Sequence, residues 1–125
     1  MNDKVVLNLE YPIKCSPRVL FNRLSTASGL SEWFADDVRV SKNVYTFVWD
    51  GSEQKAELVS KKDLSHVKFK WLDEENAFFE FRLNVEELTG DLALIITDCV
   101  DEDEQEGVSE LWESQVNVLK QLLGI

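Results

Sequence analysis

Apolar and polar side chains alternate at the start of the chain, with Val6 the exception. In KVVLNLEYPI, Val5, Leu7, Leu9 and Tyr11 share one parity and Lys4, Val6, Asn8 and Glu10 the other, the period of two of a half-buried strand. The period then changes. Ser16 stands where an N-cap accepts backbone N–H bonds, and Pro17 fits the first helical position, whose N–H would be unpaired in any case. This predicts a helix to about Leu24 with Val19, Leu20 and Leu24, and Phe21 alongside, on its buried face. Ser28-Gly29 then restarts the chain, and LSEWFA reads as a second, very short helix. It ends in an exposed-looking aromatic pair, Trp33 and Phe34, just before Asp36 and Asp37.

From Asp36 onward the pattern is one of strands separated by turn residues at roughly ten-residue spacing, which predicts an antiparallel meander. The turns fall at Lys42-Asn43, Asp50-Gly51, Asp63-Leu64-Ser65, Asp73 to Asn76, and Thr89-Gly90. Between them lie VYTFVW, QKAELVSK, HVKFKWL, AFFEFRLNV and DLALIITDCV. Val67, Phe69 and Trp71 alternate with His66, Lys68 and Lys70, and Phe79, Phe81, Leu83 and Val85 alternate with Glu80, Arg82 and Asn84. One face of the sheet is therefore oily and the other wet. The last segment, about 107–123, sets Val108, Leu111, Trp112, Val116, Leu119, Leu122 and Leu123 at helical spacing, with Glu110, Glu113, Asn117 and Lys120 opposite. A one-sided sheet of six to seven strands needs a cover, and this long amphipathic helix is the element able to supply it. The fold class is α+β.

Composition narrows the function. A chain of 125 residues is expected to form one domain, able to bury roughly two thirds of the surface its unfolded state exposes. Cys15 and Cys99 are too few for a disulfide framework and have no CxxC spacing, so a reducing cytoplasm is expected and a metal site is not. The N-terminal MNDKVVLNLEY lacks the apolar stretch of a signal peptide, and no run of about 18 apolar residues occurs, so neither secretion nor membrane insertion is expected. With 24 acidic against 13 basic side chains the net charge is -11, which repels phosphate backbones and anionic lipid. Nucleic acid is thus an unfavoured partner; an apolar molecule or a basic protein is a better one.

The order of elements, strand, two short helices, antiparallel meander and long C-terminal helix, is similar to the helix-grip fold of the START-like superfamily. SPRVLFNRLSTASGLSEWFADD resembles the opening of the branch related to activators of the heat-shock chaperone ATPase. VKFKWLDEENAFFEFRLNVEELTGDLALIITD resembles that branch's paired long strands with a polar turn, and EGVSELWESQVNVLKQLLGI its acidic loop and Trp-centred final helix. The resemblance covers nearly all of residues 1–125. It implies a single START-like domain with a cavity between the C-terminal helix and a concave sheet that takes small apolar or amphipathic molecules. It also implies that Trp33 and Phe34 stand at one mouth, that Trp112 and Val116 face inward from the helix, and that Phe47, Trp49, Phe69, Trp71, Phe79 and Phe81 line the sheet side. The alternative it carries is a protein-interaction module acting through the acidic surface. No counterpart of the additional chaperone-binding domain of full-length activators is expected here, which weighs against a co-chaperone role. A monomer or a weak homodimer is expected.

Each of these rings can equally be a core residue, because alternation and helical spacing are also what a packed core requires. Asp98 follows Leu92, Leu94 and Ile96 at inward parity, so it can anchor the polar end of a ligand or work as a general acid or base, or simply end its strand in solvent. Gln115, three residues after Trp112, borders the apolar helix face and is a second candidate anchor. His66, the one histidine, falls on the wet parity and is expected to lack a partner for acid–base work. The acidic run Asp101 to Glu106 lacks the calcium-loop pattern and reads as a solvated segment before a helix N-terminus, where the dipole favours negative charge. Relatives of the fold include cyclases and hydrolases, but no paired acid and base falls on the inward parity, so no catalytic residue, cofactor or metal is expected.

Overall fold

A computed structural model describes residues 3–125; Met1 and Asn2, part of the N-terminal stretch read above for a signal peptide, lie outside the described residues. Strand β1 (Lys4–Pro12) leads into helices α1 (Pro17–Ser25) and α2 (Ala27–Trp33). Six further strands follow: β2 (Asp37–Ser41), β3 (Val44–Trp49), β4 (Ser52–Lys62), β5 (His66–Trp71), β6 (Phe78–Val85) and β7 (Leu92–Asp101). A short 3-10 turn, Glu102–Glu104, precedes the last helix, α3 (Gln105–Leu122). The sheet has seven strands in the order β1-β7-β6-β5-β4-β3-β2, every neighbouring pair antiparallel. This is the α+β helix-grip architecture that the hydrophobic pattern and the resemblance predict.

Local chemistry explains the boundaries. Ser16 caps α1 by accepting the Val19 N–H, and Pro17 occupies its first turn. The turns sit where the sequence puts them because they hold the backbone in the left-handed region: Lys42, Asp50, Leu64 and Asn76 all have positive φ, as do Gly51 and Gly90. At Asp50-Gly51, positive φ at both residues gives the hairpin twist that matches the flanking strands β3 and β4. An irregularity between Leu58 and Ser60 breaks the β4–β5 register and leaves Val59 exposed, the bend expected of a bulge.

Three details of the helices depart from expectation. Helix α2 begins at Ala27 rather than Leu30, because the Thr26 hydroxyl accepts the Gly29 N–H at 3.0 Å and caps it earlier. Gly29 is required there: a Cβ would stand 2.7 Å from Arg23 Cα and 2.8 Å from Thr26 Oγ1, so only glycine lets α1 and α2 meet this closely. Val19 is exposed; Leu20, Phe21 and Leu24 centre the buried face of α1, and Val19 lies a further 100° round from Leu20, away from Phe21. On α3 the buried residues are Trp112, Val116 and Leu119, with Val108 and Leu123 flanking them, so Leu111 and Leu122 fall to the edge and are exposed. Helix α3 lies against α2 and the β1–β7 side of the sheet.

The core fills the concave side. Phe47, Phe69, Phe79 and Phe81 are fully buried together with Leu20, Leu24, Leu30, Leu94, Ile96 and Leu119. Tyr45 joins them, and its hydroxyl donates to the Ser25 carbonyl at 3.1 Å, tying β3 to α1.

Candidate functional site

The final carbonyl of the α2 turn organises a broad apolar opening in the concave side. Phe34 caps α2, and its carbonyl oxygen accepts two bonds, one from Trp49 Nε1 at 2.8 Å and one from Gln115 Nε2 at 3.0 Å. Both lone pairs of one oxygen thus hold β3 and α3 at a fixed separation. Gln115 must present its NH2 group to this acceptor, which turns its carbonyl end away. The Phe34 ring packs on Trp49 at 5.3 Å and on Trp112 at 5.6 Å between centroids, so it forms the floor between a sheet wall and a helix wall.

The space above this floor is a cleft of about 330 Å³, lined by Phe34, Trp49, Gln54, Trp71, Asp98, Val108, Leu111, Trp112 and Gln115. Leu111 stands at its rim, 59% exposed. Asp98 is the only titratable side chain among these lining residues. Its Oδ2 accepts the Trp112 indole N–H at 2.8 Å, which orients the largest ring of the helix wall. Burial pushes the Asp98 carboxyl above the ordinary carboxylate range; the Trp112 bond and Lys4 oppose that rise, and Glu74 adds to it. A second cleft of about 310 Å³ adjoins the first, sharing Gln54, Trp71 and Asp98, and continues along Lys4, Asp73, Glu74, Cys99, Val100, Asp101 and Glu104.

Of the residues singled out in the sequence, Phe34, Trp49, Trp71, Asp98, Trp112 and Gln115 meet at the cleft. Phe47, Phe69, Phe79, Phe81 and Val116 do not; they are packed beneath it as core. Trp33 also lies apart. Rather than standing exposed at a mouth it is 5% exposed, its ring on Phe81 and its indole N–H donating to the Arg23 carbonyl at 2.8 Å. Phe34 is 4% exposed and reaches the cleft only as its floor.

Gln54, Val108 and Leu111 line the cleft without having been singled out as ligand contacts. Leu111 had a legible signal, since an apolar side chain at the margin of a helix face borders whatever that face covers. Gln54 had none. His66 does find partners: Ser60 Oγ lies 2.9 Å from Nε2 and Ser65 Oγ 3.1 Å from Nδ1. Both ring nitrogens are thus engaged by hydroxyls, and His66 is not among the residues that line the cleft. Cys15 and Cys99 are free thiols; burial pushes the Cys15 thiol up, which leaves it a poor nucleophile. Among the described residues no group of three or more His, Cys, Asp or Glu is placed to hold a metal ion, and no helix is long and apolar enough to cross a membrane.

A family model described as a START-like superfamily domain matches residues 1–125. The solution structure of BfR322 from Bacteroides fragilis is 37% identical, covering 100% of this chain and 94% of that one, with a TM-score of 0.69. The Aha1 dimer from Colwellia psychrerythraea is 19% identical over 97% of each chain with a TM-score of 0.81. Protein MLL2253 from Mesorhizobium loti is 15% identical over 96% of this chain and 97% of its own, with a TM-score of 0.79. Among curated proteins none matches the chain.

Proposed function

The chain belongs to the START-like superfamily, and on that premise we propose that it is a non-enzymatic binding domain for a small apolar or amphipathic molecule held between α3 and the sheet. The observation that carries this reading is the open cleft of about 330 Å³ whose walls are Trp49, Trp71, Val108, Leu111 and Trp112 over Phe34. That volume lies at the lower end of the range for small-molecule sites, and a mostly apolar lining with a few placed polar groups is their usual make-up. Rings supply large contact area at little entropic cost, and two of these, Trp49 and Trp112, are pinned by the Phe34 carbonyl and Asp98 before any ligand arrives. Preorganisation of this kind reduces what binding must spend on ordering.

The absence of enzymatic action is part of the proposal. General acid–base work needs a second group within reach of the first, whereas the partner of Asp98 is an indole that can only donate. Two free thiols fit a reducing, cytoplasmic setting.

Native mass spectrometry of freshly purified protein, followed by titration with Nile red, tests the proposal. A copurifying small mass, or a saturable rise in Nile red emission with one site per chain, supports it. Leu111→Glu, a substitution at an exposed rim position, should weaken that binding by about tenfold by placing a charge against the apolar wall. A bare mass together with an unsaturable response, identical in Leu111→Glu, would refute it.

A further inference from the structure

The two adjoining clefts differ in chemistry, and their junction is specific. Trp71, Gln54 and Asp98 line both. On one side of Asp98 the lining is aromatic and aliphatic; on the other, Asp73, Glu74, Asp101 and Glu104 are accompanied by one cation, Lys4. Lys4 is already engaged by Glu74 and by Asp101, the latter at 3.2 Å. Its charge is therefore spent inside the cluster, and the acidic half carries a net negative potential that the low-dielectric aromatic half focuses rather than screens.

Asp98 itself is held by neutral donors alone, the Trp112 indole and the backbone N–H of Cys99. Its Oδ2 holds the Trp112 N–H, and among the described residues no side chain donates to Oδ1. The carboxylate is thus fixed in place by neutral N–H groups that contribute no compensating positive charge. Trp71 and Trp49 stand close by, their ring centroids 6.4 Å apart, and Trp112 closes the helix side. Indole faces attract a cation through their quadrupole, most strongly where water is excluded. We infer that the molecule this cleft selects is an amphipathic cation: an apolar or aromatic body seated among Trp49, Trp71 and Trp112, carrying a protonated amine that meets Asp98 at the mouth of the acidic half.

The inference rests on the proposed function and narrows it. A fatty-acid-like anion would place its carboxylate beside like charges, with Lys4 already paired. A bare metal ion is a poor alternative, because no three ligating side chains among the described residues converge on one point. An amine with its own apolar body satisfies both halves of the trough.

Three matched probes separate the possibilities: 4-phenylbutylamine, 4-phenylbutanol and 4-phenylbutyrate, each titrated into the full chain at pH 7.5 with dissociation constants read from amide chemical shifts. The amine should bind about tenfold more tightly than the alcohol, from cation–π attraction and a partly desolvated ion pair, and the carboxylate more weakly than either. Asp98→Asn, which keeps an acceptor for Trp112, should bring the amine to within about threefold of the alcohol. Asp73→Asn combined with Glu104→Gln, both at exposed positions, should lower amine affinity without touching that of the alcohol. Equal affinities for amine and alcohol, or an amine preference that survives Asp98→Asn, would overturn this inference while leaving the apolar cleft standing as a binding site. Failure of all three probes to bind would overturn both readings.

Discussion

Replacing Trp112 with phenylalanine deletes the indole N–H while keeping an aromatic ring against Phe34 and Phe81, which the indole packs on at 5.6 and 5.7 Å. Two losses follow. The hydrogen bond to the Asp98 carboxylate goes; bonds to charged acceptors contribute about 1.5–3 kcal/mol, and the partial solvent contact Asp98 retains favours the lower end. The buried ring also shrinks, removing on the order of 40 Å² of apolar contact, worth about 1 kcal/mol. The expected destabilisation is therefore about 2.5 kcal/mol at pH 7.5, measured by urea denaturation. In an Asp98→Asn background the acceptor is a neutral amide oxygen, whose bond, in the same partial solvent contact, contributes about 0.5–1 kcal/mol, the lower part of the usual range, so Trp112→Phe should there cost about 1.5–2 kcal/mol. The coupling between the two positions, about 0.5–1 kcal/mol, isolates the charge-assisted part of the bond. The Asp98 carboxyl should also titrate at a higher pH in Trp112→Phe, because that bond is what chiefly opposes the rise caused by burial. Equal costs in both backgrounds, with an unmoved Asp98 titration, would refute the claim that the indole holds an ionised carboxylate.

Asp98→Asn should change stability with a defined pH dependence. Its carboxyl titrates above the ordinary value in the folded chain, so folding disfavours the ionised form; the penalty is absent below the unfolded pKa and fully present above the folded one. The difference in Tm, Asp98→Asn minus unsubstituted protein, should therefore grow as pH rises from 4 to 8, and a flat or falling difference would contradict it. Gly29→Ala should lose about 2 kcal/mol by thermal or urea unfolding, since the clash with Arg23 Cα at 2.7 Å and with the α1 backbone exceeds the propensity gain of about 1 kcal/mol; unchanged stability would mean that α1 and α2 can separate freely. Leu64 is exposed and holds φ 59° in the turn between β4 and β5. Leu64→Gly should raise stability by about 0.5–1 kcal/mol by relieving left-handed strain, and a loss would show that the Leu64 side chain makes a compensating contact.

The regular elements were legible because each is written in a period and a punctuation mark. Alternation fixes Phe47, Phe69, Phe79 and Phe81 on the concave face, and left-handed residues mark the turns. Parity does not say how far along a strand the covering helix reaches. Trp49 and Trp71 are the last residues of β3 and β5, where cover ends and a cleft begins, whereas Phe47 and Phe69, one inward position earlier, are sealed. That distinction depends on where α3 lies across the sheet, which no local pattern encodes. Trp33 shows the same gap: its neighbour Phe34 turns into the cleft floor, while its own indole satisfies the end of α1 through Arg23. Asp98 was readable because a carboxylate at inward parity after Leu92, Leu94 and Ile96 is costly unless something offsets it. Its partner Trp112 lies 14 residues further along the chain, beyond the reach of spacing arguments.

The four tryptophans provide the most direct test of where a ligand sits. Three of them, Trp49, Trp71 and Trp112, line the cleft, and Trp33 is bonded to Arg23 outside it. Their assigned indole N–H signals can be followed by NMR during titration with the neutral probe 4-phenylbutanol. Saturable movement of the Trp49, Trp71 and Trp112 signals with a single dissociation constant, and a still Trp33 signal, is the result expected of a binding cleft between α3 and the sheet. Movement of Trp33 alone, or no movement of any indole up to the solubility limit of the probe, would contradict it.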